Sequence, residues 1–342
     1  MASAFAVFGY EPALETALTR LASVAKRVHD AELLLCHRLG QDAPEHADVH
    51  HSLSLDLWPE RSNGDAVTAY ARQHDLELVG VLPLTEAGVA LAALVAQSLD
   101  LPGPDLPRPP EEVPAAAAAP AGSVPSEGAW YTVHHVAGLT WVSEREELPD
   151  GHGTVVQEIV PGELAPSSHR RLVHAALSQA HRVGYQGCAF HYRALLGSDG
   201  QVAHGELHLY PEGARMWDLA GQVFAPLDPW ASWAAWAHDG RTASGGLSEV
   251  RGVAGIRRLR APRDGMLTEV PDGDFYWRME KAFPQALREI VFTRSAGDTV
   301  THSVRAEADW LGHVICVTPS REATSRGLTT VAEQVQGVLR IV

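Results

Sequence analysis

Lysine is nearly missing from this chain. Of 342 residues only Lys26 and Lys281 carry an ammonium, so the cationic side is almost all arginine. The formal net charge is −15 and there is no long basic run, which argues against the concentrated Lys/Arg footprint of a nucleic-acid binder. Cysteine is sparse: Cys36, Cys188 and Cys316 lie far apart. An odd, scattered set points to reduced thiols and a cytoplasmic setting rather than a disulfide framework, and each reads as a small buried hydrophobe. No window approaches the roughly 18 apolar residues of a membrane span. The start, MASAFAVFGYEPALE, has no basic stretch ahead of its short apolar run. It is expected to be a first β-strand rather than a signal peptide.

What is present alternates between strand and helix signals. Residues 4–8 are an apolar strand candidate, 11–24 and 31–39 read as helices, and 75–84 hold the buried-strand run LELVGVLPL. Thr85 can cap the helix that follows, TEAGVALAALVAQSLDL, whose apolar residues recur at helical spacing. This βα pattern predicts a parallel sheet. Residues 101–128 are rich in Pro and Ala without either periodicity and read as a linker. Short β signals follow at 130–135, 139–142 and 154–160, then a helix over 168–183. His169, His174 and His181 are expected on its solvent side. Trp230, Trp233 and Trp236 recur every third residue and predict a buried or interface stripe. The tail holds strands at 265–270 and 312–318, a helix at 329–338 and a last short strand.

The richest segment is GCAFHYRALLGSDGQVAHGELHLYPEG. Two alternating runs flank Gly197-Ser198-Asp199-Gly200, a short-range hairpin signal. With Ser198 and Asp199 as the loop, Arg193 falls opposite His204 and His191 opposite Glu206. Residues two apart share a face, so His191, Arg193, His204, Glu206 and His208 are expected to project together. Phe190, Tyr192, Ala194, Leu207 and Leu209 would face a core. Further upstream, Trp130, Thr132 and His134 alternate onto one face, as a ligand-stacking wall or as core.

The order of these features resembles the ATP-grasp superfamily, in its carboxylate–amine ligase branch. LVGVLPLTEAGVALAALVAQSLDLPGP is similar to the end of that family's N-terminal α/β domain. VVQEIVPGE is similar to its strand ending in Glu and a PG turn, which implies that Glu158 meets adenine. The hairpin resembles the one that holds the magnesium ligands, and 250–342 resembles the closing C-terminal segment. The resemblance implies an α+β fold: an N-terminal α/β (Rossmann-like) domain over 1–104, the Pro/Ala linker over 105–128, a shortened ATP-grasp-like domain with an antiparallel sheet over 129–246, and a C-terminal lobe over 247–342. Part of the family's nucleotide-covering subdomain is expected to survive in WYTVHHVAGLTWVSEREELP.

The departures from the family pattern matter more. Its two phosphate-holding lysines fall in an interval that here, from Pro104 to Thr154, has no lysine. Its hairpin carboxylate aligns with Arg193 and its Glu-x-Asn with Glu206-Leu207-His208, so only Glu206 is kept. Magnesium takes hard oxygen ligands, whereas a guanidinium is permanently charged and repels a like unit charge 4 Å away by about 4 kcal/mol at an effective dielectric of 20. ATP–magnesium chemistry is therefore not expected. His191, Glu206 and His208 are the candidates for acid–base catalysis or, as two imidazoles and a carboxylate, for a divalent transition metal; the alternative is a hydrogen-bonded polar layer. Arg193 is the candidate for gripping a carboxylate or phosphate, with a salt bridge to Glu206 as the alternative. His204 shares that face. Arg215 and Asp218 follow the hairpin, where the family has a substrate-binding loop, and are candidates to contact substrate. The expected function is a repurposed protein of amino-acid, peptide or natural-product metabolism acting on a small carboxylate-bearing metabolite. Two alternatives stand: a non-catalytic partner of a ligase, and an active ATP-dependent ligase with an unusual nucleotide site. A homodimer or a partner enzyme fits the lineage; nucleic acid and membrane do not.

Overall fold

A computed structural model describes residues 1–11, 14–41, 49–104, 128–148, 154–185, 188–243, 246–247 and 249–342, with the side chains of His204, Ala214 and Glu307 outside that description. The expected linker over 105–128 lies outside it except for Gly128.

The N-terminal part alternates strand and helix: β1 (Ala2–Phe8), α1 (Glu15–His29), β2 (Glu32–Arg38), β3 (His51–Leu55), α2 (Arg61–Gln73), β4 (Leu76–Pro83) and α3 (Glu86–Leu99). The four strands form a parallel sheet in the order β3-β2-β1-β4. Continuous apolar runs suit strands buried on both faces, and Ala4 through Phe8 are fully enclosed. The helix expected over 31–39 is instead β2. Its run of Leu33, Leu34, Leu35 and Cys36 is buried on both sides, a pattern that period alone cannot tell from a core helix. Thr85 stands at the N-cap of α3, but its hydroxyl makes no capping bond. It packs beside Gly9, whose φ is +81° and where an added Cβ would lie 2.0 Å from Thr85 Oγ1, so the turn out of β1 requires glycine.

The second part runs β5 (Gly128–Val136), β6 (Leu139–Glu147), β7 (Val155–Val160), α4 (Pro166–Arg182), β8 (Phe190–Gly197), β9 (Val202–His208), α5 (Ala214–Val223), β10 (Phe224–Ala225), α6 (Pro229–Asp239), β11 (Glu249–Val250) and β12 (Val253–Leu259). The tail adds β13 (Gly265–Glu269), α7 (Gly273–Ala282), β14 (Leu287–Phe292), β15 (Thr299–Val300), β16 (Gly312–Thr318), α8 (Arg321–Val338) and β17 (Arg340–Ile341). Eight strands make one antiparallel sheet, β14-β16-β12-β7-β6-β5-β8-β9. The hairpin β5–β6 turns on Ala137 and Gly138, both with positive φ, as a two-residue type I′ loop requires. β5 and β6, which hold the described part of WYTVHHVAGLTWVSEREELP, lie inside this sheet between β7 and β8.

Register sorts the side chains, because directly paired residues share a face. One face carries Tyr131, Val133, Val142, Ile159, Tyr192 and Gly255 and is packed by α4 and α8, with Leu172 and Ala176 in its core. The other face carries Thr132, His134, Trp141, Ser143, Arg145, Glu158, His191 and Arg193. Helix α5 covers part of it, bringing Trp217 to 6.3 Å from Trp141, edge to face. Trp230, Trp233 and Trp236 are buried in α6, and one apolar core runs from β1 and α1 through Trp141, Trp217 and Trp233. No helix among the described residues is long and apolar enough to cross a membrane.

Candidate functional site

The hairpin pairs differently from its sequence reading. Gly200 N–H donates to Gly197 O, Gly197 N–H donates to Gln201 O, and Gly200 has φ +75°, so the loop is one residue longer than expected. A bulge between Gly205 and Ala203, at His204, shifts the register again. His191 consequently lies opposite His208, and Arg193 opposite Glu206. The four stay on one face because the two slips add to an even number. The His204 side chain is outside the described residues.

A carboxylate not singled out from sequence dominates the site. Glu212, in the Pro211-Glu212-Gly213 turn after β9, comes back over the polar face. Its Oε1 accepts from Arg193 Nε (3.2 Å) and Nη2 (3.1 Å) and lies 3.8 Å from Arg145 Nη1. Arg145 is only 1% exposed. It also reaches Glu147 at 3.5 Å and Thr132 Oγ1 at 3.5 Å. Burial alone would raise the Glu212 carboxyl, but His191, Arg145, Arg193 and His134 reverse that and hold it well below the usual carboxylate range. His191 is itself pushed well below its ordinary value, chiefly by burial, so at neutral pH the two guanidiniums carry the effect. Glu212 Oε2 makes no hydrogen bond.

His191 accepts this burial as a fixed tautomer. Its Nδ1–H donates to Tyr210 O at 2.9 Å, leaving Nε2 without a partner. Its ring stacks on His208 with centroids 4.5 Å apart. His208 is the outer member of the pair, 3.4 Å from Glu86 at the start of α3 and 3.7 Å from Glu206. The His208–Glu86 contact joins the end of β9 to the turn after the carboxyl end of β4, the end of an open α/β sheet at which ligands bind.

Deeper on the same face, His134 Nε2 bonds Ser143 Oγ at 2.9 Å, and Ser143 donates to Glu158. Glu158 sits in mid-sheet, opposite Arg145 and Ile256. Donor atoms of His134, Glu158 and Glu212 lie within 4.8 Å of one another, the one such group among the described residues. His191, Glu206 and His208 do not converge in this way. Arg145 and Arg193 already stand 3.1–3.8 Å from Glu212, and two guanidiniums beside one of the three donors repel a divalent cation placed there. The hairpin position does not fit magnesium either, since Arg193 stands against Glu206, which is itself 63% exposed.

Two other expected contacts are engaged in the scaffold. Arg215 pairs with Glu289. Asp218 Oδ1 takes Arg20 Nε at 3.2 Å and Trp230 Nε1 at 3.2 Å, tying α1 to α5 and α6. His174 and His181 are exposed and His169 is half-buried.

No protein-family model matches the sequence, and no curated protein matches it. Solved structures do. An L-amino acid ligase from Bacillus licheniformis aligns over 100% of this chain and 98% of its own, with a TM-score of 0.74 at 13% identity. The fold is the ATP-grasp fold. A phosphoribosylglycinamide synthetase from Anaerococcus prevotii (TM-score 0.67, 12% identity, 100% and 99% covered) shares it. So does an N5-carboxyaminoimidazole synthetase from Staphylococcus aureus, determined with ADP (TM-score 0.60, 10% identity, 97% of each chain). At these identities the ATP-grasp likeness is one of architecture.

Proposed function

We propose that this protein is a nucleotide-independent enzyme built on the ATP-grasp ligase fold, acting on a small carboxylate-bearing metabolite. The observation that carries this reading is the Arg193–Glu212 pair at the hairpin position where magnesium would need acids. A guanidinium whose Nε and Nη2 are held by a buried carboxylate keeps its remaining edge fixed in direction, and Arg193 is still one-third exposed. Such an edge suits a carboxylate or a phosphate. Proton transfer would fall to His208, placed between Glu86 and Glu206, with neutral His191 stacked behind it.

The test is calorimetric titration with a panel of amino acids and dipeptides. A ligand should bind without nucleotide, and Arg193→Met should abolish that binding while His208→Gln leaves affinity in place and removes turnover. The reading fails if ligand binding survives Arg193→Met.

A further inference from the structure

We infer that Arg145 and Arg193 form a carboxylate- or phosphate-binding site which the chain fills with its own Glu212, so that an external anion reaching both arginines, rather than the outer edge of Arg193 alone, must displace this side chain. The inference rests on the functional reading of Arg193 and adds a competitor built into the fold.

Glu212 is held as a ligand would be. It belongs to no strand or helix; it stands on a turn between β9 and α5, and the next residue, Gly213, is exposed with φ +33° and nothing within 4 Å of an added Cβ. One oxygen takes three guanidinium nitrogens from two strands, at 3.1, 3.2 and 3.8 Å, while the other is buried and unbonded. A carboxylate that served only the scaffold would be expected to spend both oxygens, because a buried unsatisfied acceptor costs free energy. The receptor side has an unspent donor as well, the buried Arg145 Nε. Arg145 also reaches Glu147 and Thr132, and the two arginines project from strands β6 and β8 of the eight-stranded sheet. A rigid pair of cations on the sheet thus faces an acid carried by a turn.

The ligand class follows from shape and charge. Two guanidiniums around a space the size of one carboxylate select a monocarboxylate group or a phosphate, and the two are separated by using both as probes.

The experiment compares sodium acetate and inorganic phosphate, against sodium chloride at equal ionic strength, on wild type and Glu212→Ala. The variant should melt below wild type in chloride and recover most of the loss in acetate or phosphate, while wild type gains little. Adding Arg193→Met to Glu212→Ala should remove the recovery. If the alanine variant does not fold, Glu212→Gln keeps the volume and removes the charge; its anion affinity should exceed wild type by at least about tenfold, the scale of one charged hydrogen bond. Equal anion affinity in wild type and the Glu212 variants, still dependent on Arg193, would overturn the internal competitor and leave the arginine reading intact. No Arg193-dependent anion binding in any of them would overturn both.

Discussion

The Arg145 side chain is almost fully enclosed between Glu212, Glu147 and Thr132. Removing one partner from a buried ionic network strands the others, at a cost of about 3–5 kcal/mol. Arg145→Met should therefore lower the unfolding free energy in urea by about 3 kcal/mol or more, whereas Glu206→Gln, on an exposed side chain, should change it by less than about 0.5 kcal/mol. Equal effects would mean that the hairpin acid, and not the buried pair, anchors the face. At this scale the sequence was half legible. Alternation identified His191, Arg193, Glu206 and His208 as one face, because a period of two survives a register slip of two. Glu212 was not found, since a single Glu in a Pro-Glu-Gly turn carries no periodicity. Its only signal is position, directly after a hairpin whose polar face carries Arg193.

Elements were legible where a pattern admits one reading. The helical spacing of α3 and α4, the tryptophans of α6 and the β8–β9 hairpin all formed as expected. The failures have physical causes. A fully buried parallel strand shows no alternation, so β2 read as a helix. Turn chemistry at Gly200 and the bulge at His204 lie below what loop spacing reveals. Strand signals also do not say which sheet a hairpin joins, and β5–β6 lies inside the eight-stranded sheet. Close approach between elements makes another prediction. Helix α8 lies on Gly255 of β12, where an added Cβ would be 2.8 Å from Leu328 and 3.1 Å from Glu158 O. Gly255→Val should overpack this contact and cost about 1–3 kcal/mol, read as a lower urea midpoint. An unchanged midpoint would show that α8 is free to move away.

For the whole molecule, buried imidazoles set the response to acid. Burial lowers His135 to about 4, and burial with Arg215 and Arg258 lowers His313 to about 4, against 6.5 ordinarily. Between those values the unfolded chain binds more protons than the folded one, so stability falls as pH drops from about 6.5 toward 4 and is fully present above that window. The His135 shift alone is worth about 3 kcal/mol. Urea midpoints should decline steadily across this range; a flat profile would contradict the buried neutral state. Metal analysis of protein purified without chelators should find well below one ion per chain, because Arg145 and Arg193 stand against Glu212, and stoichiometric metal lost in Glu158→Ala would refute that expectation. The fold itself is shared with ligases, one of them determined with ADP, so the decisive question is whether this chain keeps nucleotide chemistry. Calorimetric titration of the full chain with ATP, with and without magnesium, answers it most directly. The account predicts no magnesium-dependent binding. Magnesium-dependent ATP binding that disappears in Glu206→Gln would contradict it.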